Sequence, residues 1–270
     1  MTAPHETKAV PFRQAVVGPT LAVAAFQLQR LFSRQRLLLA GLGAIFPAAV
    51  MLAVRRTVPD GLDRDLAVTM IYALVPEAVC MLGLLVTMCP AVADELERGT
   101  WIHVAVRPSG RRSLLIGTYL AAVAWTSAVA ILAAVLAVSV SGVEHPAPLV
   151  GMLAALVVLS TLGRGALFAL PAVILPKRAL VASVAVALVV EYLAGFIPAV
   201  VNQATVSLRL RSLLVGWMGW RQKLPAEMQL LVDPQPAWVQ FAAIGVLAAV
   251  LLVAAVKILD FRQFPPSVEI

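Results

Sequence analysis

The chain has 270 residues, of which 61% are hydrophobic and 13% charged, with a formal charge of +7. A water-soluble domain spends about a quarter of its residues on charge, so water cannot be the main solvent. The basic residues sit between apolar runs and form no continuous stripe, which points away from nucleic acid and toward a membrane with anionic lipids.

A helix needs roughly 20 apolar residues to cross a hydrocarbon core about 30 Å thick. The runs here are long enough and apolar on all faces, unlike the alternating strands of a membrane barrel. The expected fold is an all-α polytopic membrane protein with six transmembrane helices, an N-terminal amphipathic interfacial helix and short outer-face helices before the last span.

Residues 1–36 are read as a cytoplasmic arm. Their apolar stretch 15–26 is broken by Gly18 and Pro19, is too short to span, and is followed by no signal-peptide cleavage pattern. From Thr20, the residues Leu21, Ala24, Ala25, Leu28, Leu31 and Phe32 recur at helical spacing, with Gln27, Arg30, Ser33 and Arg34 on the other side. The pattern predicts a connecting helix lying in the membrane surface, its basic face toward headgroups. The transmembrane domain, 37–259, follows with spans at 37–54, 67–93, 114–140, 149–175, 179–201 and 237–259, and a tail at 260–270 closes the chain. Cys80 and Cys89 share one span. At about 100° per residue, nine positions place them on opposite faces, unsuited to a disulfide or a shared metal.

With the N-terminus in the cytoplasm, 13 of the 21 Lys and Arg fall on the inner side and seven on the outer, and Arg164 lies within a span. This bias orients the protein with both termini cytoplasmic, although Arg55, Arg56 and the last outer loop work against it. The outer loop 202–236 is too apolar for free solvent, with Val206, Leu208, Leu210, Leu213, Leu214, Trp217 and Trp220. Arg209, Arg211, Gly216 and Gly219 interrupt it too often for a span. It reads as one or two interfacial helices with tryptophans at headgroup level, or as an ordered loop packed on the bundle.

The most polar stretch is the inner loop 94–113. Asp94, Glu95, Glu97 and Arg98 extend a helix beyond the membrane, and Gly99 ends or bends it. An apolar segment from Thr100 through Trp101 to Val106 follows, suited to docking. Arg107, Pro108 and a basic cluster with Arg111 and Arg112 then turn the chain into the next helix. A short docking element between two helices transmits displacement in both directions. The alternative is a solvated charged loop.

In this loop the sequence resembles the membrane subunit of ATP-binding cassette (ABC) transporters of the type-2 permease class. Glu95, Gly99, Thr100, Pro108 and Arg112 stand at the acidic, Gly-Thr, Pro and basic positions of that family's loop, whereas Thr118 stands where many relatives place Lys. The resemblance implies that 94–113 is a coupling loop seated on a nucleotide-binding subunit. It also implies an N-terminal connecting helix, six spans and an outer element before the sixth.

No Gly-x-x-x-x-Gly-Lys-Ser/Thr motif occurs, so ATP and Mg are expected on a separate ATPase subunit and no cofactor on this chain. Two ATPase copies and a second copy of the chain would complete a two-fold assembly. No catalytic or metal-binding residues are expected, since His5, His103 and His145 are scattered among the arm and two loops. The reading is therefore a permease, an exporter in the family's manner and no enzyme. The competing readings are a proton-coupled secondary transporter and a noncatalytic membrane anchor.

Besides Lys257 at the inner end of the last span, three acidic or basic residues lie within spans: Glu77, Arg164 and Glu191. Each costs about 2.5–3.5 kcal/mol at a helix centre unless it faces protein or water. Arg164 precedes Lys177 by 13 residues and Glu191 follows Arg178 by 13, so a tight hairpin brings both to one depth, about 20 Å from the turn. They are expected to pair, as a structural ion pair or as a gate or substrate contact, with Gly163 and Gly165 allowing close helix approach. Glu77 has no evident sequence partner. With Met81 and Met88 it reads either as part of a stripe lining a translocation path between two copies or as a buried structural acid.

Overall fold

The structure, a computed structural model, describes residues 12–58, 62–107, 109–143, 145–193, 205–222, 232–233 and 235–262. Among these residues every regular element is a helix. Helix α1 (Phe12–Leu31) leads into α2 (Arg34–Thr57) and the long α3 (Arg64–Glu97). A short α4 (Trp101–Val106) joins α3 to α5 (Gly110–Ser141), which is followed by α6 (Pro146–Ile174). Helix α7 starts as Ala179–Val186 and widens into a π-helical stretch, Ala187–Leu193. The outer α8 (Val206–Met218) and the last helix α9 (Ala237–Phe261) complete the fold.

Five helices, α2, α3, α5, α6 and α9, are long and apolar enough to cross a membrane, and the chain is an all-helical multi-pass membrane protein. Helices α2, α3, α5 and α9 reach beyond the apolar runs that identify them, whereas α6 starts three residues before its run and ends one residue short of it. The remaining expected span, 179–201, is described only through Leu193, and its last residues lie outside the described set.

The helices enclose two apolar clusters stacked along the bundle. Met51, Ile71, Leu153, Leu156, Leu210 and Ile244 belong to one. Leu84, Met88, Trp101, Leu115, Phe168 and Leu259 belong to the other, at the α4 end. Helix α5 presents Ala130, Ala133, Ala134 and Ala137 to the first cluster, all fully buried, and these small side chains let neighbouring backbones come close. Helix α6 is the most enclosed span and carries Arg164 between the two clusters.

Three sequence expectations change here. Of the residues expected on the basic face, Gln27 and Arg30 turn into the bundle, whereas Ser33 and Arg34, past the end of α1, are exposed. Thr20, Ala24, Gln27 and Leu31 form its buried face, while Leu21, Phe26 and Phe32 are exposed. A side chain at Gly117 of α5 would meet Val23 and the Thr20 carbonyl at 2.8–2.9 Å, so α1 lies directly against α5. Lipid rewards the apolar face outside, and the polar residues find partners inside.

Gly163 and Gly165 do admit close neighbours, and among the described residues the nearest come from α8, α9 and α5. A Cβ at 163 would lie 2.7 Å from Val206 of α8 and 3.3 Å from Ile244 of α9; one at 165 would lie 3.1 Å from the Tyr119 ring of α5.

Of the two readings of the outer loop, the packed one is nearer: it contains a helix set into the bundle, not one lying at the interface. Leu208, Leu210, Leu213 and Leu214 of α8 are buried, Trp220 packs against the core, and Trp217 is the exposed tryptophan. Arg209 of α8 bonds Asp233 and Gln240, and Ser212 Oγ accepts from the Asp233 N–H at 2.8 Å. These contacts satisfy polar groups that the apolar surroundings leave without water.

Candidate functional site

The inner loop is a short helix braced from both sides. Its first half continues α3 as Ala93–Glu97, and the helix stops where Gly99 takes φ +68°, with its N–H on the Leu96 carbonyl at 3.2 Å. A left-handed residue closing a helix costs glycine nothing sterically. Thr100 Oγ1 then donates to the Glu95 carboxylate, tying the residue before α4 to the end of α3. Arg107 is extended and Ser109 takes φ 60°, so the chain reverses into α5. Pro108 lies outside the described residues.

On the first side, Arg30 of α1 holds both acids: Nη2 is 3.1 Å from Asp94 and Nη1 is 3.3 Å from Glu95. Arg36 of α2 reaches Asp94 at 3.9 Å. On the second side, Arg111 Nη1 donates to the carbonyls of Leu259, Asp260 and Arg262 at 3.1–3.4 Å, where the end of α9 leaves acceptors without helical partners. The Arg111 guanidinium also lies 5.8 Å from the ring centroid of Trp101, and Arg112 pairs with Asp260 at 2.9 Å. Trp101 and Glu95 are buried.

What remains outward is specific. Ile102 is 55% exposed and Val106 79%, four residues apart on one face of α4. Glu97, Arg98, Gly99, His103 and Arg107 are exposed around them. The expected site residues thus divide. Asp94, Glu95, Thr100, Trp101 and Arg112 hold the loop in place, whereas Glu97, Arg98 and Arg107 rim an apolar tip. Sequence reasoning missed Arg36 and Asp260 as braces, and it assigned Arg30 to headgroups. The polar Gln27 and Arg30, three apart on a helix, were the available signal for a buried polar contact.

The second concentration of chemistry lies inside the bundle. Arg164 is fully buried and spends its donors on five acceptor groups. Nη1 bonds the Pro76 carbonyl at 2.7 Å and Ser160 Oγ at 2.8 Å. Nη2 bonds Ser207 Oγ at 2.8 Å and the Glu77 carboxylate, and Nε lies 3.4 Å from Glu191.

Pro76 makes part of this arrangement available. It has no N–H to give the preceding turn, and α3 widens into a π-helical stretch, Ala73–Val79, in which the Cys80 N–H turns to the Val75 and Glu77 carbonyls. The Pro76 carbonyl then accepts from Ser160 Oγ at 2.7 Å as well as from Arg164. Tyr72 Oη donates to Glu77 at 2.7 Å.

Glu191 sits at the N-terminus of α8. It accepts from the Val206 N–H at 3.1 Å, the Ser207 N–H at 2.9 Å and Ser207 Oγ at 2.7 Å. Unpaired N–H groups and the helix dipole both favour an anion there. Thr205 caps the same end, its Oγ1 accepting from the Leu208 N–H at 3.3 Å. Helix α8 therefore begins at the depth of Glu191, inside the bundle.

The structure brings Arg164 and Glu191 together and adds Glu77 to the same cluster. Glu77 is 8% exposed, and Met88 is fully buried among the core residues. Met81 packs against that core, half-buried. Glu77, Met81 and Met88 therefore do not form an open stripe on this chain. Ser160, Ser207 and Tyr72 complete the cluster; Ser160, four residues before Arg164, was the one partner visible by helical spacing.

No protein-family model matches the chain, and comparison with curated proteins gives no match.

Proposed function

We propose that the chain is the membrane-spanning permease subunit of an ABC transporter, an exporter energised by a separate ATP-hydrolysing subunit that docks on α4. The observation that carries this reading is the short helix Trp101–Val106, with Ile102 and Val106 bare at its tip and ionic braces on both flanks. A braced apolar knob on an otherwise polar loop suits a partner's groove. Because α4 is continuous with α3 and α5 through tight turns, a push on it moves both spans.

In this reading the protein crosses the cell membrane six times, counting 179–201, with both termini cytoplasmic. It works as a homodimer with two ATPase copies, which hold ATP and Mg. The buried cluster around Arg164 joins α3, α6, α7 and α8, so motion entering α3 at α4 reaches the outer helix. A proton-coupled carrier would need Glu77 or Glu191 to exchange protons with water. Both carboxylates instead bond Arg164 and hydroxyl or backbone donors, which weighs against it.

Co-purification tests the proposal. The chain, expressed in its native host and isolated in mild detergent, should bring down a subunit that hydrolyses ATP, and Ile102→Asp with Val106→Asp should release it. Purification free of any ATPase from native membranes would remove the basis of the reading.

A further inference from the structure

Between α2, α3 and α5 the structure encloses a second feature that the permease reading does not use. A groove of about 480 Å³ runs along α2 from Arg36 to Phe46, with Ala78 and Gly83 on one wall and Trp125 on the other. Its volume is that of a ligand pocket, which spans roughly 300–1,000 Å³. Ten residues of helix advance about 15 Å, half of a hydrocarbon core about 30 Å thick, so the groove is one leaflet deep. Apart from its mouth, the wall is almost wholly apolar.

The mouth is basic. Arg36 lines it at the end nearest α4. Among the described residues the only carboxylate within 4 Å of Arg36 is Asp94 at 3.9 Å, which Arg30 already holds at 3.1 Å. Arg34, exposed, stands two residues away. Arg30 thus holds both acids, Asp94 and Glu95, and Arg36 keeps one long contact, while the exposed Arg34 adds positive charge to the same end of α2. Phe32 and Trp125 meet edge to face at 5.0 Å.

We propose that this groove holds one acyl chain of an anionic phospholipid from the leaflet on the α4 side, its phosphate on Arg36. The length fits a single chain of one leaflet, the wall supplies apolar contact, and the guanidinium at the mouth selects a negative headgroup. A second copy of the protein would need no charge there. The lipid would wedge α2 against α3 and rest beside the acidic residues that brace α4.

Gly43 makes the test clean, because it lines the groove and a Cβ there meets nothing within 4 Å. Gly43→Leu therefore adds its side chain at the groove wall from a position where the first added atom has open space. Gly41→Leu, equally free of contacts but off the groove, is the control. The full chain is reconstituted in phosphatidylcholine vesicles carrying phosphatidylglycerol with a photoreactive group on its acyl chain, and labelled peptides are identified by mass spectrometry.

Labelling should fall on the groove walls and exceed that from the phosphatidylcholine analogue. It should drop about tenfold in Gly43→Leu, the equivalent of two buried methylenes, and stay unchanged in Gly41→Leu. Arg36→Gln should keep labelling but erase the headgroup preference. Equal labelling in the two leucine variants, or equal labelling from the two headgroups in the wild type, overturns the proposal. So does Gly43→Cys cross-linking to its counterpart in a second copy, which would make the groove a protein interface.

Discussion

Replacing Arg164 with Met keeps the side-chain bulk and removes the cation that both buried carboxylates bond. Among the described residues Glu77 then keeps the Tyr72 hydroxyl at 2.7 Å, a long contact to Ser207 at 3.4 Å and the more distant charge of Arg211. Glu191 keeps two backbone N–H groups and Ser207 Oγ, all within 3.1 Å. The damage should therefore centre on Glu77. Breaking a buried pair by removing one partner costs about 3–5 kcal/mol. At roughly 2–4 °C per kcal/mol for a chain of this size, Arg164→Met should lower the unfolding temperature in detergent by about 10 °C. Adding Glu77→Gln removes the orphaned charge and should recover about half of that loss, by the scale of an unpaired buried charge. Adding Glu191→Gln should recover less, because Glu191 is still solvated by the α8 terminus. The assay is fluorescence-detected thermal unfolding of the single and double variants in one detergent. The reasoning is refuted if Glu191→Gln rescues better than Glu77→Gln, or if Arg164→Met unfolds with the wild type.

Other perturbations probe separate links. Gly163→Ala places a methyl 2.7 Å from Val206 and should destabilise by about 1–3 kcal/mol, whereas Gly151→Ala, with open space around it, should not; protease digestion of the α8 region compares the two. Arg30→Gln should loosen α1 from α3, leaving ATP hydrolysis in the complex but lowering transport, measured side by side in vesicles. Exchanging the pair, Arg30→Glu with Asp94→Arg, should restore part of the transport; no gain over Arg30→Gln would count against the brace.

The spans were legible because lipid demands long apolar runs, and run length needs no knowledge of neighbours. Which side of each helix is buried was not legible, for the same physical reason. A residue facing lipid and one facing the core are both apolar, so α1 could be assigned the wrong outward face and α8 could pass for a surface helix. In water the buried stripe of a helix is marked by composition; in a bilayer only polar residues mark it. The contact of Arg164 with Glu191 follows from equal counts on either side of the turn at Lys177 and Arg178. That of Arg164 with Glu77 does not, because the rotation of α3 that presents Glu77 depends on the π-helical stretch at Pro76, a change of register within one helix. In the inner loop, the acids, Gly99 and the basic cluster stood out as sequence features. Their division into braces and an exposed tip depended on Arg30, Arg36 and Asp260, which come from three other helices.

The docking role of α4 is tested most directly by a photo-cross-linking amino acid placed at Ile102 or Val106 in the full chain, with a lipid-facing position such as Leu42 as the comparison. Irradiation of native membranes should join the α4 positions, and not position 42, to a subunit that binds and hydrolyses ATP. Adducts from α4 only to lipid, or the same protein adducts from position 42, would contradict the account.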